Sequence, residues 1–112
     1  MSLAIPSVPI SGVPTPLPGG LQVLDVREDV EWRLGHIEGA THIPLMELPQ
    51  RLPDVPPGQV LVVCRVGGRS AQAVGYLARQ GLEVVNLDGG MLDWAEAGRP
   101  MVSETDAPPR VV

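Results

Sequence analysis

The sequence predicts an α/β fold, a small three-layer domain in which a mainly parallel central sheet carries helices on both faces. Short apolar segments alternate with helical patterns, and this alternation favours parallel strands joined by helices. The apolar and β-branched run at residues 59–63 is typical of a parallel strand that is buried on both faces. A chain of 112 residues with 44% apolar content suits one domain with one core.

The first part of the chain is rich in proline, so residues 1–20 are predicted to be an extended segment with an edge strand near residues 4–8. Residues 21–100 are predicted to form the folded domain. Its first elements are a strand at 21–26, a helix at 28–34, a very short strand at 41–43 and a short helix at 45–52. Acidic residues in the first turn and Gly35 after the last turn mark the ends of the first helix.

The second half contains the clearest elements. They are a strand at 59–63, a helix at 70–80, a strand at 83–87 and a helix at 91–97. The longer helix has one apolar face, and Gly81 ends it. The remaining residues, 101–112, are expected to form a loose C-terminal tail.

The composition argues against several partners and cofactors. A net charge of −5 disfavours a nucleic-acid surface, and no segment approaches the ~20 apolar residues that span a bilayer. The single cysteine, Cys64, cannot form an internal disulfide, and with two histidines it makes no plausible metal site. A lone cysteine without a signal-peptide pattern also predicts a cytoplasmic protein. We therefore expect no metal, nucleic acid or membrane partner.

The loop after Cys64 has the features of an anion site. Gly67 and Gly68 permit a backbone that curls with its N–H groups inward, and the following helix adds its positive end. Arg65 and Arg69 add two guanidinium groups in or beside this cradle. These features favour an anion and should lower the pKa of Cys64 from ~8.5, which makes the thiolate a nucleophile. An inert buried cysteine is the alternative interpretation.

Three charged residues near the first strand are interpreted as structural support for the loop. Asp25 and Arg27 are predicted to form a buried ion pair or to cap a neighbouring loop, and Glu31 is a candidate for the same network. Arg69 of the loop also has an alternative interpretation, in which it has a purely structural role and pairs with an acidic side chain instead of contacting a substrate. His36 and His42 are expected to be hydrogen-bonded structural histidines.

Residues 21–94 resemble the single-domain rhodanese (thiosulfate sulfurtransferase) family in three separated motifs. The first combines Leu24-Asp25-Val26-Arg27 with Glu31-Trp32 and residues 35–40. The second is Cys64-x-x-Gly67-x-Arg69-Ser70, and the third is Leu87-Asp88-Gly89-Gly90-Met91 with Trp94. The family fold is a small α/β domain with a parallel sheet, which agrees with the predicted rhodanese-like fold.

The resemblance implies that a sulfane sulfur moves through a persulfide on Cys64. The donor would be thiosulfate or another persulfide, and the acceptor would be cyanide or a thiol, with a protein donor or acceptor as a further partner class. No cofactor is implied. The residues expected to cradle the substrate are Arg65, Val66, Gly67, Gly68, Arg69 and Ser70.

Two other functions remain open at this point. A phosphatase or arsenate reductase could use the same cradle, but the related phosphatases carry a longer loop, so the short spacing from Cys64 to Arg69 favours sulfur. A non-catalytic binding or regulatory module could share the fold, although such modules commonly lack the cysteine. The chain departs from the family pattern at His42 and in the proline-rich segment at 13–18. The second departure is expected to alter one edge of the domain and leave the loop intact.

Overall fold

Five parallel strands form the central sheet of the computed structural model, which describes residues 4–112. The strands are β1 (Ser7–Pro9), β2 (Gln22–Asp25), β3 (Thr41–His42), β4 (Gln59–Val63) and β5 (Glu83–Asp88). The helices are α1 (Asp29–Leu34), α2 (Gly68–Arg79) and α3 (Gly90–Glu96). The strand order is β1-β5-β4-β2-β3, so β4 lies at the centre. The predicted fold class is confirmed.

Strand β4 separates two apolar cores because its side chains point alternately to the two faces of the sheet. Val60 and Val62 pack in the cluster that includes the apolar face of α2, whereas Leu61 and Val63 pack in the cluster that includes Met91 of α3. Helices therefore cover both faces, as the continuous apolar run predicted. Cys64 follows β4 directly and lies at the carboxyl edge of the sheet.

The structure corrects the helix expected at residues 45–52. This region forms two short 3₁₀ helices, Leu45–Gln50 and Leu52–Asp54. Pro49 and Pro53 lack the N–H groups that a continuous α-helix would need, so the chain takes the shorter turns instead. Helix α2 also begins earlier than predicted, at Gly68, because Gly67 adopts the left-handed conformation that starts it.

Both terminal segments are packed against the domain. The edge strand is Ser7–Pro9, beside β5, and the following residues hold Arg99, whose guanidinium donates to the carbonyls of Ile10 and Val13 at 3.0 and 2.6 Å. The C-terminal segment, expected to be loose, instead bonds to the end of α1: the N–H of Arg110 donates to the carbonyl of Leu34 at 3.0 Å. Backbone hydrogen bonds of this kind cannot be read from local sequence.

No helix within residues 4–112 has both the length and the apolar character needed to cross a bilayer.

Candidate active site

The sulfur of Cys64 lies inside the curl of the loop that follows β4. The backbone N–H of Gly67 donates to Sγ at 3.1 Å, and the hydroxyl of Ser70 lies 3.2 Å from the same atom. Cys64 is only 1% exposed, and its neighbours on the sheet side are apolar. The sulfur is thus buried, but the donors beside it point inward as the sequence predicted.

The inward direction of the loop amides follows from where the loop carbonyls are held. The N–H groups of Met91 and Leu92 on α3 donate to the carbonyls of Cys64 and Arg65, at 2.8 and 3.0 Å. In a trans peptide the C=O and the next N–H point in opposite directions. The carbonyl of Arg65 faces α3, so the N–H of Val66 faces the sulfur, where it lowers the pKa of Cys64.

Two glycines permit this close packing of the loop against α3. Gly67 has a φ of 105°, and Gly90 has a φ of 58°. A Cβ atom on Gly90 would lie 2.6 Å from the carbonyl oxygens of both Cys64 and Arg65. Gly68 was also expected to adopt backbone angles that larger residues resist, and this expectation is wrong. Gly68 has no positive φ, and a Cβ atom there would meet no atom within 4 Å.

The pKa of Cys64 is set by two opposing effects. Burial raises the pKa of the thiol, because a charged sulfur loses contact with water. The Ser70 hydroxyl and the backbone N–H groups of Ser70, Gly67 and Val66 lower it, because they donate hydrogen bonds to the thiolate. The donors prevail, so the pKa of Cys64 lies below its usual value.

The two arginines of the loop have different surroundings. Arg69 forms two parallel hydrogen bonds with the carboxylate of Glu31, at 2.8 and 2.9 Å, which lower the pKa of Glu31 and raise that of Arg69. Arg65 is exposed, and its Nε donates to the carbonyl of Val112 at 2.9 Å. Within residues 4–112 no aspartate or glutamate side chain lies within salt-bridge distance of Arg65, so the bond to Val112 is the contact that positions its guanidinium beside the loop.

Asp25 and Arg27 form the buried ion pair that the sequence predicted. The guanidinium of Arg27 donates to both carboxylate oxygens of Asp25, and its Nη2 also donates to the carbonyl of Gly35 at 2.7 Å. This pair joins the end of β2 to the turn after α1. It braces the elements that carry Glu31 and is not hydrogen-bonded to the cysteine loop in the described residues.

His36 and His42 are hydrogen-bonded to backbone carbonyls, as expected of structural histidines. His36 Nδ1 lies 2.7 Å from the carbonyl of Trp32, and His42 Nε2 lies 2.7 Å from that of Arg27. Both rings stack on Trp32, at centroid distances of 3.5 and 4.7 Å. Across residues 4–112 no group of three potential ligands is arranged to hold a metal ion.

Asn86 is a part of the site that the sequence analysis did not identify. It lies on β5, is 3% exposed, and contacts the Ser70 hydroxyl and the carbonyl of Gly67. The sequence feature that could have identified it is a single amide side chain between Val84-Val85 and Leu87. A polar side chain in an apolar, buried strand needs a hydrogen-bond partner. The partner itself could not be predicted, since Ser70 is 16 residues away in the chain.

Comparison with known proteins places this site in a family. A model described as the rhodanese-like domain matches residues 16–97. A sulfurtransferase of Allochromatium vinosum is 39% identical over 83 residues, which cover 72% of this chain and 78% of that protein. A rhodanese-related protein from Thermoplasma volcanium superposes with a TM-score of 0.80 at 34% identity, over 87% of this chain and 97% of the other. A NAD-dependent persulfide reductase from A. fulgidus matches at 34% identity with a TM-score of 0.65, over 80% of this chain but only 16% of that protein.

Proposed function

Because this chain belongs to the rhodanese-like domain family, we propose that it is a sulfurtransferase in which Cys64 carries a sulfane sulfur as a persulfide. The observation that carries the proposal is the arrangement of donors around the sulfur, where the Gly67 N–H and the Ser70 hydroxyl lie 3.1 and 3.2 Å from Sγ. Sulfur-transfer names among its relatives support the same class of reaction.

The proposed reaction has two balanced steps. The Cys64 thiolate attacks the outer sulfur of thiosulfate, the S–S bond of thiosulfate breaks, and its electron pair leaves with sulfite. The product is the Cys64 persulfide anion. Cyanide or a thiolate then attacks the outer sulfur, which leaves Cys64 again as a thiolate and releases thiocyanate or a new persulfide. No external oxidant or reductant is consumed, and we propose that no cofactor takes part.

Electrostatic stabilisation by fixed donors supports both steps. A thiolate and a persulfide anion both carry negative charge near the same sulfur, and preorganised N–H groups stabilise such charge without rearrangement. The cradle proposed from the sequence is residues 65–70. Within it, Arg65 is the group suited to meet the donor anion, because it is exposed and no aspartate or glutamate side chain in the described residues pairs with it. Arg69 acts from further away, since Glu31 holds its guanidinium.

We also propose the partners that this chemistry requires. The donor is a small anion with a terminal sulfur or a persulfide, since only a terminal atom can approach a sulfur as buried as that of Cys64. The acceptor is a thiol, on a small molecule or on a protein, with cyanide as the laboratory substitute. A reducing compartment such as the cytoplasm suits a protein whose activity depends on one free thiol.

Intact-mass spectrometry after incubation with thiosulfate tests the proposal. The wild-type chain should gain the mass of one sulfur, lose it on addition of cyanide, and the Cys64→Ser variant should gain nothing. A parallel assay with a phosphate ester separates the phosphatase alternative. Ester hydrolysis without any gain of sulfur would overturn the proposal, and a wild-type chain inert in both assays would favour the non-catalytic module.

A further inference from the structure

Three groups form a buried hydrogen-bonded chain beside the loop. Ser70 Oγ lies 3.2 Å from Cys64 Sγ and 2.5 Å from Asn86 Oδ1. Ser70 is 0% exposed and Asn86 is 3% exposed, so no bulk water competes for these contacts.

The orientation of Asn86 is fixed by its other neighbour. Asn86 Nδ2 lies 3.3 Å from the carbonyl of Gly67, which can only accept a hydrogen bond. The amide nitrogen therefore faces Gly67, and the amide oxygen faces Ser70. Since that oxygen can only accept, the hydroxyl of Ser70 must be the donor in the bond with Asn86.

A serine hydroxyl has one proton, yet two acceptors surround this one. When the proton lies toward Asn86, Ser70 can still accept a hydrogen bond from a protonated Cys64 thiol. When Cys64 is a thiolate, the same proton is needed at the sulfur, and the bond to Asn86 is lost. The two hydrogen bonds of Ser70 as a donor thus exclude each other.

We propose that Asn86 is a positioning residue for the proposed sulfur transfer: by accepting the Ser70 hydroxyl proton, it limits how strongly that hydroxyl donates to Cys64. The inference rests on the proposed function for its catalytic meaning. The resting thiolate draws the proton to Sγ. In the persulfide the charge moves to the outer sulfur, Sγ needs the proton less, and the hydroxyl returns to Asn86.

The charged side chains near Cys64, Ser70 and Asn86 do not bond to the Ser70 hydroxyl in place of Asn86. The guanidinium of Arg69 acts on the charge of Cys64, and Glu31 in turn pairs with Arg69. Arg65 is exposed on the loop, and Asp88 is exposed at the end of β5. None of these four side chains is hydrogen-bonded to Ser70 or Asn86 in the described residues, so substitution of Asn86 leaves the local ion pairs intact.

The test is a pH titration of the thiolate ultraviolet absorbance, which reports Cys64 alone because it is the only cysteine. The Cys64→Ser variant gives the absorbance of Tyr76, which is subtracted from that of the other variants. Asn86→Leu, which removes the acceptor and keeps the number and branching of the side-chain heavy atoms, should lower the pKa of Cys64 by roughly 0.5–1 unit. Ser70→Ala should raise it, because a donor to the thiolate is lost. The carbonyl of Gly67 keeps its bond from the N–H of Ala71 in both variants.

The double variant and a control on the same strand make the result decisive. In the Ser70→Ala background, Asn86→Leu should cause no further change, because its effect passes through the hydroxyl. Val84→Ala, in the apolar core at the other end of β5, should lower stability without moving the pKa of Cys64.

The Asn86→Ala variant replaces Asn86→Leu in these measurements if the leucine variant fails to fold. A raised or unchanged pKa in the Asn86 variants, or an equal shift in the Ser70→Ala background, would overturn the inference. This outcome does not depend on sulfur transfer, so it is separate from the fate of the proposed function.

Discussion

Glu31 and Arg69 form the ion pair that joins α1 to α2 beside the cysteine loop. Two charge-assisted bonds hold it, and Glu31 Oε1 also accepts the N–H of Glu28 at 3.0 Å, which caps the helix. The bond from Arg69 keeps the pKa of Glu31 below its ordinary value, so folding favours the ionised carboxylate. That stabilisation is complete above the unfolded-state pKa of ~4.3 and is lost as the pH falls through the folded-state value.

Glu31→Gln should therefore lower the free energy of unfolding at pH 7 by on the order of 1 kcal/mol. The glutamine oxygen can still cap the helix, so the change isolates the charge. Urea denaturation at a series of pH values should show the deficit shrinking as the pH falls below about 4.3 and disappearing only below the folded-state pKa of Glu31. Glu47→Gln is the control, because it breaks the exposed pair with Arg51 and should have a smaller effect. A deficit that stays constant down to low pH would contradict this account.

At the residue scale, contacts between residues close in the sequence could be predicted, and contacts between distant residues could not. Cys64, Gly67 and Ser70 lie within seven residues, where β4 leads into α2, so their spacing predicted the inward amides and the lowered pKa. The bonds from Arg69 to Glu31 and from Ser70 to Asn86 join residues 38 and 16 positions apart. No local pattern encodes such partners, because they depend on how the strands are ordered in the sheet.

The turn between β5 and α3 is the element that shapes the cysteine loop. The first N–H groups of α3 hold the carbonyls of Cys64 and Arg65, and Gly90 leaves room for that approach. Gly90→Ala should push the loop away from α3, reduce the rate of persulfide formation, and lower the free energy of unfolding by about 1–3 kcal/mol. The loss of rate follows because displaced carbonyls no longer fix the amides that face the sulfur.

A second glycine at the other end of α3 provides the control. Gly98 has a φ of 71°, close to the 58° of Gly90, but a Cβ there would meet nothing within 4 Å. Gly98→Ala therefore carries the backbone strain without the steric clash, and it should keep the wild-type rate of persulfide formation measured by mass spectrometry. Equal loss of rate in both variants would show that strain, and not contact with the loop, is responsible.

At the scale of the whole molecule, the succession of strands and helices along the chain was largely predictable, and the path of the C-terminal segment was not. The apolar run of β4 and the helix after it are periodic signals that reflect burial on both faces of the sheet. The last twelve residues have no such period, yet Val111 packs against one of the two cores and Val102 pairs with His36. This segment is held by backbone contacts that only the folded domain presents.

Gly35 is where the C-terminal segment approaches the domain most closely. A Cβ atom on Gly35 would lie 2.5 Å from the carbonyl oxygen and 2.7 Å from the nitrogen of Arg110. Because the φ of Gly35 is 174°, an extended value that any residue adopts, Gly35→Ala would act only through this clash. The segment ends at Val112, whose carbonyl accepts the bond from Arg65, so its displacement should also free the arginine beside the loop.

Gly35→Ala should therefore lower the melting temperature and speed proteolytic cleavage within residues 103–112, which mass spectrometry of the fragments would detect. Freed from Val112, Arg65 would lose its fixed position, and the KM for thiosulfate should rise while the pKa of Cys64 stays the same. Gly19→Ala is the control, because a Cβ there meets nothing within 4 Å and no positive φ is involved. If the two variants were cleaved at the same rate, Gly35 would not be the point that holds the segment, and the coupling between the C-terminal residues and the site would have to be abandoned.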